Sequence, residues 1–159
     1  MPSFYSRRRT TAEAFAAEVR RCGVEASVVE RPQEAVTGVD IVVSSVPHGA
    51  SENPILDAAW VSQGTFVSMV ELGYAWKRAS LAAFDRVVQS APGGKEQLNY
   101  VGAYAGEIAD LVSGRIPWRA SSDERSALVF SGIGLADTAA AVVLYEAAVA
   151  KQIGTLLPL

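Results

Sequence analysis

Cysteine and histidine are nearly missing from this chain, and their scarcity excludes several kinds of site. Cys22 is the only cysteine among 159 residues, so the chain cannot form an internal disulfide or a zinc site built from cysteines. His48 is the only histidine, and the sequence places no partner for proton transfer beside it. The carboxylates do not follow the spacing of a metal site. We therefore expect no metal and interpret His48 as an ordinary loop residue.

An excess of positive charge and a long apolar run are also missing. The 14 Lys and Arg residues against 17 Asp and Glu give a net charge of −3, which provides no basic field for a phosphate backbone. The longest apolar run, residues 138–150, is interrupted by Tyr145 and Glu146 and is shorter than the roughly 20 residues that a membrane-spanning helix needs. No apolar segment typical of a signal peptide follows Met1. We expect a cytoplasmic chain that binds neither nucleic acid nor a membrane.

The strand-like and helix-like segments that are present predict one α/β domain with a mostly parallel sheet. Strands are predicted at residues 3–6, 26–29, 40–45, 65–70, 86–89 and 128–130. A capping-box pattern at Thr10 and Glu13 predicts a first helix that ends at Gly23, and a long alanine-rich helix is predicted over residues 135–150. The strand runs are continuous rather than alternating, which is typical of a parallel sheet covered by helices on both faces. We predict a single Rossmann-like domain over residues 1–159.

Glycines stand between the last predicted strand and the long helix. Gly132 and Gly134 in the sequence Gly-Ile-Gly would let a phosphate approach the backbone at a helix N-terminus. Asp137 stands where a third glycine is expected, and its charge would oppose a pyrophosphate. A close-packed turn that starts the helix is the alternative, and the sequence leaves it open.

Polar side chains follow two of the predicted strands. Ser44 and Ser45 come at the end of an apolar strand, where open α/β sheets bind ligands, although small hydroxyl residues also simply end strands. Ser6, Arg7 and Arg8 stand at the end of the first strand and could contact a ribose and its 2′-phosphate, since a guanidinium group suits a phosphate. A solvated turn is the alternative at Arg7.

Sequence stretches along most of the chain resemble the ornithine cyclodeaminase/mu-crystallin family. They are F-Y-S-R at residues 4–7 with E-A-V-T-G-V-D-I-V-V-S at 34–44, P-I-L at 54–56 with W-V-S-Q-G-T-F-V at 60–67, and E-I-A-D-L-V-S-G-R at 107–115 with G-I-G-L-A-D-T-A-A-A at 132–141. Each stretch alone is generic for Rossmann-like proteins. Their order and spacing together carry the resemblance.

The resemblance implies an NAD(P)-binding fold and redox-neutral cyclodeamination or reduction of small amino or imino acids. It places Ser6 and Arg7 at the adenosine ribose or its phosphate. It places Ser44 and Ser45 beside the cofactor, and Lys77 after the loop that faces the nicotinamide. The candidate cofactor site therefore comprises Ser6, Arg7, Ser44, Ser45, Lys77 and Gly132.

The chain also departs from the family pattern. The first strand with its glycine-rich loop is expected before Phe4, and the N-terminal substrate and dimerisation region is missing too. Gly73 falls near the catalytic aspartate of the cyclodeaminases, and glycine has no group that can transfer a proton. We therefore assign no catalytic residue.

These departures lead to three hypotheses about function. The first is a degenerate domain that binds NAD or NADP weakly or not at all, without catalysis of its own. The second is half of a split NAD(P)-dependent cyclodeaminase or dehydrogenase. The third is a small-ligand binding module. We expect a homo-oligomer, and under the second hypothesis also a complementary polypeptide.

The missing first strand leads to a prediction about the sheet. In the Rossmann strand order 3-2-1-4-5-6 the first strand is central. We predict that the gap closes directly, so that the strand at Phe4 pairs with the strand over residues 41–44 and the order becomes 3-2-4-5-6. The alternative is that a partner subunit or the tail over residues 153–159 fills the gap. The long alanine-rich helix is apolar on more than one face, so we expect it to be buried partly against another subunit.

Overall fold

The computed structural model describes residues 1–47, 53–90, 100, 102–130, 132, 134–155 and 157, and His48 lies outside them. The strands are β1 (Ser3–Phe4), β2 (Ser27–Val28), β3 (Ile41–Ser44), β4 (Phe66–Met69), β5 (Arg86–Gln89), β6 (Gly106–Glu107) and β7 (Ser126–Val129). The α-helices are α1 (Arg9–Arg21), α2 (Ile108–Val112) and α3 (Gly134–Lys151). Short 3₁₀ helices cover Pro32–Ala35, Ala58–Trp60 and Arg78–Ala83.

The strands form two parallel sheets flanked by helices, which confirms the predicted fold class. β1 pairs with β2 in a two-stranded sheet, and the other strands form a five-stranded sheet in the order β3-β4-β7-β5-β6. Each pairing between these strands is parallel. Because all strands of the larger sheet run the same way, their carboxyl ends meet at one edge, where Ser44, Met69, Val129 and Gln89 stand in register.

The predicted pairing of the Phe4 strand with the strand over residues 41–44 is wrong. β1 pairs with β2 and β3 pairs with β4, and in the described part of the chain the second edge of β1 and of β3 has no strand beside it. The described tail residues 153–155 and 157 form no strand either. The predicted order also places the strands over residues 65–70 and 86–89 side by side, as strands 5 and 6. These strands are β4 and β5, and β7 lies between them. Apolar runs predict which residues form strands, but not which strand edges meet.

Helix α1 begins two residues earlier than the capping pattern predicts, because Arg8 rather than Thr10 is the N-cap. It starts at Arg9, and its N-cap makes no side-chain hydrogen bond. Thr10 therefore lies inside the helix, and Glu13 accepts a hydrogen bond from Arg9 Nε at 2.6 Å instead of capping the helix. Gly23 ends the helix as predicted, with a φ of 80° in the left-handed region that glycine adopts without steric cost.

The hydrophobic core lies on one face of the five-stranded sheet. Strand residues such as Val42, Val67 and Met69 pack there against the segments that connect the strands. Trp76 is fully buried in this core, and its ring meets that of Phe84 edge-to-face with centroids 5.7 Å apart. Packing on this face of the sheet therefore stabilises the domain.

The opposite face of the sheet is only partly covered. Ile41 and Val43 of β3 are each 66% exposed. Further along the sheet, α2 and Trp118 line an apolar groove of about 620 Å³ together with Phe66 and Leu128. Parallel sheets usually carry helices on both faces, so the exposed side chains of β3 mark a place where such cover is missing.

Helix α3 carries apolar side chains but buries none of its residues. Leu135, Leu144 and Tyr145 are all largely exposed. Within the described residues, no helix is long and apolar enough to cross a membrane.

Candidate functional site

The carboxyl ends of β3 and β4 hold a buried polar cluster. The Ser44 hydroxyl donates to the carboxylate of Glu71, with Oγ 3.0 Å from each carboxylate oxygen. It also accepts a hydrogen bond from Trp76 Nε1 at 2.9 Å. The backbone N–H of Ala75 donates to Glu71 Oε1 at 3.3 Å. Ser44, Glu71 and Trp76 are all buried, so the Ser44 hydroxyl is committed to internal partners.

Glu71 is a buried carboxylate, and no cation pairs with it among the residues that the structure describes. None of the ion pairs among the described residues includes it. Burial raises the pKa of Glu71 above its ordinary value of 4.5, and the hydrogen bonds from Ser44 and from the Ala75 N–H oppose that rise. The environment therefore favours the protonated form of this carboxyl.

A left-handed turn points Glu71 inward. Leu72 has a φ of 64° and Gly73 a φ of 81°, and the N–H of Tyr74 donates to the Glu71 carbonyl at 3.3 Å. A leucine in this region is strained by about 1–2 kcal/mol. Gly73 has no side chain, so the carboxyl group of this turn comes from Glu71, two residues earlier. Sequence reasoning missed Glu71, although an acid between Val70 and Leu72 in an apolar context was a signal for it.

The residues after β1 lie on the surface near the segment that follows β3. Ser6 is half-buried, and its hydroxyl accepts a hydrogen bond from the Arg8 N–H at 3.4 Å. Arg7 is exposed, and its guanidinium donates to the backbone carbonyl of Asn53. This hydrogen bond joins the end of β1 to the segment that follows β3, a strand of the larger sheet.

The other predicted site residues fall in two places. Ser45 is exposed at the end of β3, and Gly132 follows β7 with a φ of 81° and open space where a Cβ would stand. The Lys77 ammonium lies 3.2 Å from Asp57 Oδ2 and 5.4 Å from the centre of the Trp60 ring. The structure therefore brings Ser44, Ser45 and Gly132 to one sheet edge and holds Lys77 in an ion pair with Asp57.

Gln89 adds a free acceptor at the same edge. Its side chain is buried at the end of β5, and its Oε1 has no hydrogen-bond partner among the residues that the structure describes. Leaving such a group unpaired costs about 1–3 kcal/mol, and an N–H donor of a bound ligand would remove that cost. A carboxamide, such as that of a nicotinamide, is chemically suited to this acceptor.

Replacing Glu71 by glutamine is expected to change how stability depends on pH. Because the folded-state pKa of Glu71 is raised, its protonated form stabilises the fold, and this contribution is lost as the pH rises from about 4.5 through the raised pKa. The E71Q variant cannot ionise here, so it should gain stability relative to the wild type as the pH rises. Urea unfolding between pH 4.5 and 7.5 measures this difference.

The exposed Glu146 provides the matched control, because E146Q removes a carboxylate that is not buried. Any gain of E146Q over the wild type at pH 7.5 should be smaller than that of E71Q. An E71Q curve that runs parallel to the wild-type curve would contradict the assignment of Glu71 as a buried acid.

Comparison with known proteins identifies a family and several relatives of this chain. The ornithine cyclodeaminase/mu-crystallin family model matches residues 3–152. The chain is 26% identical over 165 residues to an alanine dehydrogenase of Archaeoglobus fulgidus, covering 95% of this chain and 50% of that protein. It is 27% identical over 142 residues to the N-((2S)-2-amino-2-carboxyethyl)-L-glutamate dehydrogenase of Staphylococcus aureus, covering 82% of this chain and 41% of that protein. The chain thus spans about half the length of the curated relatives it matches.

Solved structures show the same fold. The Δ1-pyrroline-2-carboxylate reductase of Thermococcus litoralis, in complex with NADH and L-proline, aligns with a TM-score of 0.82 at 21% identity, over 98% of this chain and 52% of that chain. An archaeal alanine dehydrogenase dimer with bound NAD aligns with a TM-score of 0.75 at 22% identity, over 98% of this chain and 52% of that chain. The family match covers nearly the whole chain, and these folds agree with it. The chain belongs to the ornithine cyclodeaminase/mu-crystallin family.

Proposed function

We propose that this chain is the dinucleotide-binding half of an NAD(P)-dependent enzyme for small amino or imino acids and does not catalyse alone. The observation that carries the proposal is that β1 and β3 each have one edge that no strand in the described part of the chain covers. A Rossmann sheet has one central strand between these positions, and its glycine-rich loop cradles the pyrophosphate. In this proposal β1 and β3 are the two strands that flank the central strand.

The hydrogen bonds indicate which backbone groups a further strand would meet. In β1, the Phe4 carbonyl accepts a hydrogen bond from the N–H of Val29, which follows β2. The backbone N–H and C=O of Ser3 therefore point away from β2, toward the uncovered edge. In β3, the carbonyls of Asp40 and Ser44 accept from β4 residues or their neighbours, so the groups of Ile41 and Val43 face the open edge, because parallel strands alternate in this way. A parallel strand inserted there could pair on both sides.

A strand that pairs with both of these edges would bring a helix with it. Parallel neighbours need a crossover connection, which is usually a helix packed on the sheet face. The exposed side chains of Ile41 and Val43 supply an apolar surface for that helix. We name the β1 and β3 edges and these two side chains the complementation slot, and propose that a strand-loop-helix segment of a complementary polypeptide occupies it.

The substrate class of the proposal rests on the relatives. Their names give amino acids or an imino acid as substrates, and the solved reductase holds NADH and L-proline. In this chain Gly73 cannot transfer a proton, and Glu71 is turned inward toward Ser44. Without the segment that fills the slot, we therefore expect no turnover.

We also propose that the chain self-associates. The solved archaeal alanine dehydrogenase is a dimer, and helix α3 exposes apolar side chains along its length. The proposed partners are thus a complementary polypeptide and a second copy of this chain.

The chain alone is expected to bind dinucleotides weakly, with a Kd above roughly 100 μM, because the phosphate cradle at a helix N-terminus supplies much of the usual affinity. NADP should bind more tightly than NAD, since the Arg7 guanidinium can pair with a 2′-phosphate. Titration calorimetry with NADPH and NADH measures both affinities, and Arg7→Ala should abolish the preference.

Arg21→Ala is the control, because Arg21 is an exposed arginine in the last turn of α1 and should leave the preference unchanged. Micromolar affinity for NAD that is the same in Arg7→Ala would refute both the weak binding and the role of Arg7.

A further inference from the structure

The apolar groove between the sheet and α2 has the size of a ligand site. Its volume is about 620 Å³, within the roughly 300–1,000 Å³ that is usual for small-molecule sites. Val88 and Leu128 of the sheet, Leu111 of α2 and Trp118 are among the residues that line it. A helix about 10 Å wide would fill this volume with little more than one turn. The dimensions therefore suit a small molecule better than a helix of another protein.

The groove lies at the other end of the strands from the candidate cofactor site. Its lining includes Phe66, Arg86 and Ser126, which stand in register at the amino ends of β4, β5 and β7. Cofactors of open α/β sheets bind at the carboxyl ends of the strands, which Ser44 and Gln89 mark in this chain. A ligand in the groove would therefore occupy a site of its own.

The charged side chains of the groove leave one positive charge unmatched. Arg86 pairs with Glu124 through two hydrogen bonds, of 3.2 Å to Oε2 and 3.3 Å to Oε1. Hydrogen bonds from Arg86 and from the Ala120 N–H lower the pKa of Glu124, and the charge of Arg119 lowers it further. Arg119 also lines the groove, but it takes part in none of the ion pairs in the described part of the chain. One carboxylate thus faces two guanidinium groups, and the balance favours an anionic ligand.

Contacts on both sides hold the segment around Trp118 in place. Before it, Arg115 Nε lies 2.7 Å from Asp110 Oδ1 of α2. After it, the Ala120 N–H donates to Glu124 Oε2 at 2.8 Å. The Trp118 side chain itself is largely exposed, so much of its ring surface is free to contact a ligand. This side of the groove is therefore formed before any ligand binds.

We propose that the groove binds a small aromatic organic acid, in addition to the dinucleotide. The rings of Phe66 and Trp118 would pack against the aromatic body of the ligand, and Val88 and Leu128 would shield that body from water. The Arg119 guanidinium would donate hydrogen bonds to the acidic group, which it matches in geometry as well as in charge. The inference stands apart from the proposed complementary polypeptide, because every residue that it uses lies in this chain.

The test compares two fluorescent probes that differ in charge. The anionic probe is 1-anilinonaphthalene-8-sulfonate, and N-phenyl-1-naphthylamine has the same rings without the sulfonate. Arg119→Gln should weaken the anionic probe about three- to fivefold, as for a partly exposed ion pair, and leave the neutral probe within about twofold. Arg78→Gln is the control and should change neither affinity, since Arg78 is exposed and lies in the 3₁₀ helix Arg78–Ala83, outside the groove. An anionic probe that binds Arg119→Gln as tightly as the wild type refutes the proposal.

The indole N–H signals in NMR spectra locate the bound probe. The Trp118 signal should shift when the anionic probe is added, whereas the signal of Trp76, which is fully buried in the core, should not. Trp118→Ala should weaken both probes, because both lose the same ring contact. Excess NADP should leave the anionic probe bound, since the two sites lie at opposite ends of the strands. Displacement by NADP, an unchanged Trp118 signal, or unaltered binding to Trp118→Ala each refutes a separate site in the groove.

Discussion

Replacing Trp76 by alanine is expected to lower the free energy of unfolding by about 3–5 kcal/mol, the usual cost of removing a large buried aromatic side chain. Trp76 has no exposed surface and is the largest of the fully buried side chains. Its ring contacts Phe84, and its indole N–H donates to Ser44. Alanine would leave a cavity and would also remove the donor that the Ser44 hydroxyl accepts from. For a small domain this loss is a large fraction of the total stability.

Urea unfolding followed by circular dichroism measures the effect of Trp76→Ala. Trp118→Ala is the matched control, because Trp118 is 66% exposed and its loss should cost less than about 1 kcal/mol. A cost below about 1.5 kcal/mol for Trp76→Ala, or equal costs for the two variants, would mean that the core packs differently from the arrangement described above.

Adding a complementary polypeptide that fills the slot is expected to raise the affinity for NADPH at least tenfold. The polypeptide must carry one apolar strand, a glycine-rich loop and a helix. Its strand would pair with β1 and β3, its helix would cover Ile41 and Val43, and its loop would supply the backbone N–H groups that hold a pyrophosphate. Calorimetry with and without the polypeptide measures the gain. The chain alone should release no ammonia or proline from ornithine above a control without protein.

Val43→Lys should prevent the gain, because it places a charge where the added helix would pack. Val43 is exposed in the chain alone, so the isolated fold should tolerate the change. Val112→Lys is the control, since Val112 is even more exposed but lies on α2, away from the slot. The split-enzyme proposal fails if a polypeptide that binds the chain leaves the NADPH affinity unchanged, or if both lysine variants behave alike.

Local patterns in the sequence predicted most of the elements. The continuous apolar runs located β3 and β4 to within one residue at each end and located Arg86–Gln89 without error. The alanine-rich run located α3, which begins at Gly134. These predictions succeeded because a buried strand or an apolar helix needs several apolar residues within one short stretch of sequence.

The features that local patterns could not predict depend on contacts between distant residues. The two-residue strand β6 was missed because it is held by pairing with β5 rather than by its own composition. The bond between Ser44 and Glu71 joins residues 27 positions apart. The position of β7 between β4 and β5 likewise follows from long-range packing. The family resemblance was confirmed, but the roles assigned through it to Ser6, Arg7 and Lys77 stay predictions.

The position of β7 has a consequence for how the chain acquires its structure during synthesis. The middle of the five-stranded sheet is its last strand in sequence, so β4 and β5 can join only through residues 126–129. A nascent chain that has emerged only to residue 120 would expose the inner edges of both strands, which are templates for wrong pairing. Completion of this sheet therefore has to wait until residues 126–129 have been made, however early β4 and β5 leave the ribosome.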